Sequence, residues 1–346
     1  MGIFDSKNFN AEVFGQYLET VPRVKQNALL NAGILRGRPD LKQILVDQAG
    51  GNFISVPMTG LVDGEAINYD GNTDITATNL ETFLQSMIVV GRTKAWLERD
   101  FSQDITGHDF MADIAAQVSN YWDDVDQATM LAILEGIFGV TQDGFADKHT
   151  LDISAETTPT VGPSTLNDAI QKAAGANKGI FTCVIMHSVV AKNLENQQLL
   201  EYMKYNDGEG IQRDMALATW NGRTVLVDDD VPVEAVAQTQ TDAAYNKYTT
   251  YVLGAGAFDF CDCGAHVPSE VHRDPLTNGG QEYLITRQRK LFAPRGFSFV
   301  QPGTAIISPT DVQLKTAARW AVVKDTAGSG YFDSKAIPFA RILSKG

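Results

Sequence analysis

Hydrophobic and polar positions change their period three times along this 346-residue chain. Over "NFISVPMTG", Ile54, Val56 and Met58 alternate with Phe53, Ser55 and Pro57, the period-two pattern of a strand. A return strand follows in "SMIVVGRTKAWL", with Met87 and Val89 on one face and Ile88 and Val90 on the other. Between them lies a polar, acidic stretch carrying Asp63, Glu65, Asp70 and Asp74. Two strands so joined predict a long projecting hairpin. A two-stranded ribbon alone is marginal in water, so this one is expected to rest on something else.

The period then lengthens. In "TGHDFMADIAAQVSNYWDDVDQATMLAILEGIFG", Met111, Ile114, Val118, Tyr121, Val125, Ala128 and Ala132 recur at three- and four-residue steps. Asp113, Gln117, Asn120, Asp124 and Gln127 make the opposite, polar face. Thr106 with Asp109 fits a capping-box start, and Gly136 and Gly139 an end. The pattern predicts a helix over 104–138, on the order of 45 Å long at about 1.5 Å per residue. A compact enzyme rarely needs such a rod.

From about residue 164 the texture alternates. "STLNDAIQKAAG" reads as a capped helix, "GIFTCVIMH" as a buried strand and "SVVAKNLENQQLLEYM" as a helix beginning at Ser188. "GRTVLVDDDVP" and "KYTTYVLGAGAFDF" read as strands, "QEYLITRQRKLFAPRGFSF" as a long strand with a bend, and "TDVQLKTAARW" as a late helix. Upstream, residues 1–50 form an arm that Pro22, Gly33, Gly37 and Pro39 interrupt too often for one long helix. A hairpin, a long helix and then a mixed body place the chain in the α+β class.

Composition narrows the function. A hydrophobic fraction of 44% and a charged fraction of 20% are those of a folded protein. With 28 basic and 42 acidic residues, a net charge of −14 and no long basic run, the chain lacks the counterion-releasing cations of a tight nucleic-acid binder. No run approaches eighteen apolar residues, so no membrane helix is expected. Cys183, Cys261 and Cys263 are an odd, sparse set suited to a reducing compartment.

Candidate chemistry is thin. Cys261 and Cys263, with His266 and His272 nearby, have the wrong gap for a structural zinc site and read as buried thiols near a turn. "GAGAFDF" opens like a dinucleotide loop, but Asp259 stands where the third glycine belongs, so a turn between strands is expected. Asp228, Asp229 and Asp230 could hold Mg²⁺ or Ca²⁺ weakly, against the preferred reading of a solvated turn before Pro232. Phosphate-loop, zinc-protease and nucleophile-elbow motifs do not occur in the sequence. No enzyme, cofactor or metal is expected.

The order of arm, acidic hairpin, very long helix and α/β body resembles the major capsid protein of tailed bacteriophages, a fold shared with encapsulin shells. The most specific part is the closing run "LFAPRGFSF", "SPTDVQLKTAARWAVVKD" and "KAIPFARIL", which looks like that family's last strand, helix and final strand. The likeness covers essentially the whole chain. It implies an N-terminal arm at 1–50, an extended loop at 51–98, and a peripheral domain of 99–160 and 270–305 built on the helix 104–138. An axial domain would take 161–269, and 306–346 would return to the body.

The function implied is a structural subunit assembling as pentamers and hexamers into an icosahedral head around phage DNA. The alternative is an encapsulin-type shell around a cargo enzyme. The implied partners are a scaffolding protein and a portal, with a cement protein as an optional addition. The arm begins almost at Met1, leaving no room for a built-in scaffolding domain, so a separate scaffold is expected. The virion is the expected location, with assembly in the host cytoplasm. The extended-loop carboxylates Asp63, Glu65, Asp70 and Asp74 are expected to meet Arg287, Arg289 and Arg295 of a neighbour.

Overall fold

The computed structural model describes residues 33–47, 51–60, 62, 65–70, 72, 74, 77, 80–106, 109–206, 212–238, 244–303, 305–325 and 330–345. Most of the expected arm, 1–32 and 48–50, lies outside them. The first half of the chain runs β1 (Leu35–Gly37), α1 (Pro39–Asp47), β2 (Phe53–Thr59), β3 (Thr82–Arg99), α2 (Asp100–Thr106), α3 (Phe110–Ile137), α4 (Phe145–His149) and β4 (Thr150–Asp152). The alternating body follows with α5 (Thr165–Ala174), β5 (Phe181–Met186), α6 (Ser188–Asn196), β6 (Glu201–Asn206), β7 (Gln212–Trp220), β8 (Arg223–Val227), β9 (Val233–Val236) and β10 (Tyr245–Gly254). It closes with β11 (Phe258–Asp262), β12 (Ser269–Asp274), β13 (Gln281–Pro294), β14 (Phe297–Phe299), α7 (Asp311–Lys315), β15 (Trp320–Val322) and β16 (Phe339–Ser344). The mixed α+β class is as the sequence predicts.

The projecting hairpin is β2 against β3, in antiparallel register from Phe53↔Ile88 to Thr59↔Thr82. Its base is core rather than ribbon. β3 continues along β13 from Val89↔Leu291 to Arg99↔Gln281, inside a six-stranded sheet ordered β1-β11-β13-β3-β2 with β12 on β13. The two faces predicted for β3 enter two different cores. Met87 and Val89 pack with Leu41, Leu45 and Ile54, whereas Ile88 and Val90 join the end of α3. The ribbon therefore rests on its own subunit at the base.

The helix α3 has 28 residues, about 42 Å at 1.5 Å each. Its start differs from the predicted one. Asp109 is the N-cap, accepting from the Ala112 N–H at 3.0 Å, while the Thr106 hydroxyl donates to the Ser102 carbonyl in α2. From Thr129 to Leu134 every residue is buried, as a helix apolar on all sides should be. The predicted polar face fails there: Gln127 is buried and donates to Asp228, and Ala128 is exposed. Gly136 is no terminator. It sits inside the helix, where a Cβ would lie 2.1 Å from the Leu314 carbonyl oxygen, so its bareness admits the α7 backbone.

The second sheet has eight strands, ordered β4-β16-β10-β5-β8-β7-β6 with β9 on β10. Alternate residues again go to separate cores. Val184, Met186 and Val252 pack under α5 and α6, while Cys183, Ile185, Tyr251 and Leu253 face the core that α3 shares with the first sheet. The C-terminal half of α3 is thus the joint between the two sheets.

Two predicted helices are shorter than expected. α6 stops at Asn196, after which Gln198 takes a left-handed φ of 57° and the chain turns into β6. α7 opens on a Thr310–Gln313 capping box but ends after five residues, because Thr316 is extended. The late segment then continues through a 3₁₀ turn at Ala317–Arg319 into β15. No described helix is long and apolar enough to cross a membrane.

Candidate assembly surface

Beyond the β2–β3 ladder the Gly60 N–H donates to the Glu81 carbonyl at 2.8 Å, and every described residue between them is exposed. Glu65, Asp70 and Asp74 lie on this exposed stretch, and Asp63 lies outside the described residues. The Asp70 carboxylate accepts from the Asn72 N–H at 2.9 Å in a local turn. Among these carboxylates stand large apolar groups, with Tyr69 95% and Val62 89% exposed. Apolar side chains held out on a projecting loop suit burial against another molecule.

The three candidate arginines come from β13 and the turn that ends it. Arg287 and Arg289 are two residues apart on that strand, and the register sets Arg92 of β3 opposite Gln288 between them. Together with Ala265, His266, Val267 and Glu270 they line a shallow depression. Each is already held within the chain. Arg287 donates to Glu270 at 2.9 Å and holds that carboxyl below its usual range; Arg289 donates to Gly51 O and Asn52 Oδ1. Arg92 donates to Asp311 at 2.6 Å and to Pro309 O at 2.9 Å. Arg92 was missed because its closeness follows from strand register alone.

Arg295 stands apart from this group. It is exposed at the Pro294-Arg295-Gly296 turn, where its backbone N–H donates to Ala257 O at 2.9 Å. The break is sharper than a bend in one strand: the chain leaves β13 and enters β14, which pairs with β15 in a separate sheet. Gly296 makes the turn with φ +87°, and a Cβ there would press to 3.0 Å from Ile337.

The other candidates are accounted for by packing. Cys261 and Cys263 belong to or flank the core under α1, and burial pushes the Cys263 thiol up to about 12. Asp229 accepts from the Ser188 N–H at the start of α6, and Asp228 from the Asp230 N–H and from Gln127. Among the described residues no group of three or more ligating side chains could hold a metal. In "GAGAFDF" a turn links β10 to β11, and Asp259 is buried in the fork of Arg36, with N–O distances of 2.7 and 3.0 Å, and beside Arg38. That cluster joins β1 to a strand more than two hundred residues away, and no local pattern signals it.

No family model matches the chain. It is 27% identical over 314 residues to the major capsid protein of Bacillus phage SPP1, covering 91% of this chain and 92% of that one. Among solved structures it is similar to the acidic stable capsid structure of Helicobacter pylori bacteriophage KHP30, with a TM-score of 0.59 and 11% identity over 96% of this chain and 95% of that one. The capsid asymmetric unit of cyanophage Pam1 matches with a TM-score of 0.58 and 10% identity, over 100% and 98%. The fold is that of tailed-phage major capsid proteins.

Proposed function

We infer that this chain is a structural major capsid protein of a tailed bacteriophage, a repeating subunit of the shell. The observation that carries this is the end-to-end likeness to the Bacillus phage SPP1 major capsid protein, over 91% of one chain and 92% of the other. The protein is not an enzyme, and its place is the virion. An encapsulin-type shell around a cargo enzyme is not favoured, since the relative and the capsids of matching fold are phage proteins.

Residues 1–50 are an N-terminal arm and 51–98 the extended loop. The peripheral domain is 99–160 with 270–305, the axial domain 161–269, and 306–346 returns to the body. Copies join as pentamers and hexamers through heterologous contacts that close into rings. Asp63, Glu65, Asp70 and Asp74 of one loop approach Arg287, Arg289 and Arg295 of a neighbour, and the exposed Val62 and Tyr69 add apolar area. What supports this is charge complementarity between an exposed acidic loop and an arginine-lined depression.

DNA is enclosed without tight or sequence-specific binding, as the net charge of −14 suits. A scaffolding protein and a portal complete the partners, with a cement protein as an optional addition, and assembly takes place in the host cytoplasm. Electron microscopy of the protein co-expressed with its scaffolding protein tests the reading. Closed icosahedral particles are expected there, with tubes or loose capsomers from the protein alone, while cargo-filled cages, or small oligomers even with the scaffold, would count against it.

A further inference from the structure

The ladder between β3 and β13 ends at Val89↔Leu291, while β13 runs on along β11, on its other edge, to Phe258↔Pro294. From there outward the edge of β3 that faced β13 has no continuous strand partner among the described residues, only an isolated bridge from Phe83 to Asp325. Two side chains take the place of the strand. The Ser298 hydroxyl accepts from the Ser86 N–H at 3.1 Å and donates to the Leu84 carbonyl at 3.4 Å, as one residue of a missing strand would. Gln85, only 1% exposed, donates from Nε2 to Pro294 O and to Phe297 O, both at 2.9 Å.

A carboxamide nitrogen carries two N–H donors, and here both are used. Their acceptors bracket the Pro294-Arg295-Gly296 turn, so one side chain ties the extended loop to the point where the body's ladder diverges. A polar residue buried on a strand with both amide donors paired specifies one geometry, because any other leaves those donors or the two carbonyls unpaired. Beyond Ser55↔Ser86 the β2–β3 ladder runs four further steps to Thr59↔Thr82, about 13 Å at roughly 3.3 Å each, before the exposed tip begins. Phe83, two residues further out, is buried, packs edge-on to Phe332 and bridges Asp325, so Gln85 and Phe83 together hold the base from which the exposed tip extends.

We propose that Gln85 is a positioning residue that fixes the angle at which the extended loop leaves its own subunit, and thereby the curvature at which subunits join. This rests on the shell reading above. The loop is the projecting element, and its direction decides which part of a neighbour it can reach.

The test uses the full chain with Gln85→Met, which keeps the volume and removes both donors, beside wild type and Ser298→Ala. In dispersed subunits hydrogen exchange is followed at residues 83–88 and 297–299. At least tenfold faster exchange at these amides is expected for Gln85→Met, with unchanged circular dichroism, and a smaller rise for Ser298→Ala. In assembly reactions supplied with the scaffolding protein and imaged by electron microscopy, Gln85→Met is expected to give a broadened spread of diameters, tubes or open sheets where wild type gives uniform shells. Unchanged exchange, or a wild-type diameter distribution from Gln85→Met, overturns the proposal. Should Gln85→Met fail to fold, Ser298→Ala decides by the same two readouts. Wild-type protein that forms no closed shell even with its scaffolding protein overturns the shell reading and the curvature claim with it, whereas the exchange result still decides whether Gln85 holds the base of the loop.

Discussion

Lys290 of β13 reaches the buried carboxylate of Asp126 on the long helix, and the same carboxylate accepts from Gln288 at 2.9 Å. The Asp126 side chain is 4% exposed and that of Lys290 20%. Burial pushes the Asp126 carboxyl up, with Lys290 and Gln288 pulling the other way, so desolvation outweighs the pairing. The pair anchors the helix to the first sheet at the cost of a dehydrated charge.

That imbalance makes the two partners unequal. Lys290→Met strands a buried carboxylate and is expected to cost about 3–5 kcal/mol in urea unfolding of dispersed subunits. Asp126→Asn removes the dehydrated charge and leaves Lys290 free to reach water, so a loss of no more than about 1 kcal/mol is expected. For an acid whose folded pKa is raised, the folded state binds more protons, and stability falls as pH rises from the unfolded pKa through the folded one. Wild type should therefore carry a component, absent in Asp126→Asn, that weakens with rising pH across that window. Equal losses for the two variants would contradict this account.

His149 gives the opposite slope. It is 1% exposed, stacks on Phe145 and hydrogen-bonds through Nδ1 to the Phe339 carbonyl at 2.7 Å; burial, the largest influence, holds its pKa below the ordinary value of 6.5. The unfolded chain then takes up a proton that the folded chain refuses, so stability is lost as pH falls from about 6.5 toward the folded pKa. Thermal unfolding of wild type between pH 7 and 5 should lose stability that His149→Phe does not lose. Parallel curves would remove His149 from the explanation.

Gly136 admits α7 to the surface of the long helix. Besides the 2.1 Å approach to Leu314 O, an added Cβ would stand 2.6 Å from Trp320 Nε1, which itself donates to Leu314 O at 2.7 Å. Gly136→Ala gains helix propensity but must push α7 and Trp320 away. A net loss on the order of 1–3 kcal/mol is expected in denaturant titration, with the indole fluorescence altered. A stabilised variant would mean that this contact can relax.

Deleting residues 60–76 removes the exposed loop and leaves the core clusters intact. Dispersed subunits should keep their unfolding midpoint within a few degrees, because exposed ion pairs are worth only about 0–1 kcal/mol each. Closed shells should fail to form, since in the proposed assembly those small terms would act by repetition around every ring. Normal particles from the deleted chain would end the proposed role of Glu65, Asp70, Asp74 and their neighbours.

Covalent welding of subunits is not expected. Some phage shells of this type join an extended-loop lysine to an asparagine of a neighbour, and from Gly51 to Arg92 there is no lysine. Arg92 cannot substitute, because its guanidinium stays protonated and is spent on Asp311 and Pro309. Particles boiled in detergent should run at the monomer mass of 37.7 kDa. A ladder of covalent pentamers and hexamers would refute this.

Local period was enough to read the hairpin, the long helix and the alternating body, since side-chain spacing follows from backbone geometry within a few residues. Ser188 at the start of α6 and Gly175 at the end of α5 were legible for the same reason. The two faces of β3 were legible too, though not that each enters a different core. Only the tertiary structure decided the rest. Gln127 and Gly136 look like a polar face and a terminator until β8's end and α7 are brought against them. Gln85 lies 209 and 212 residues from its two acceptors, and Asp126 164 from Lys290. Pairings of that kind depend on the path of the whole chain and on which buried groups must find partners, and neither is written in any short stretch.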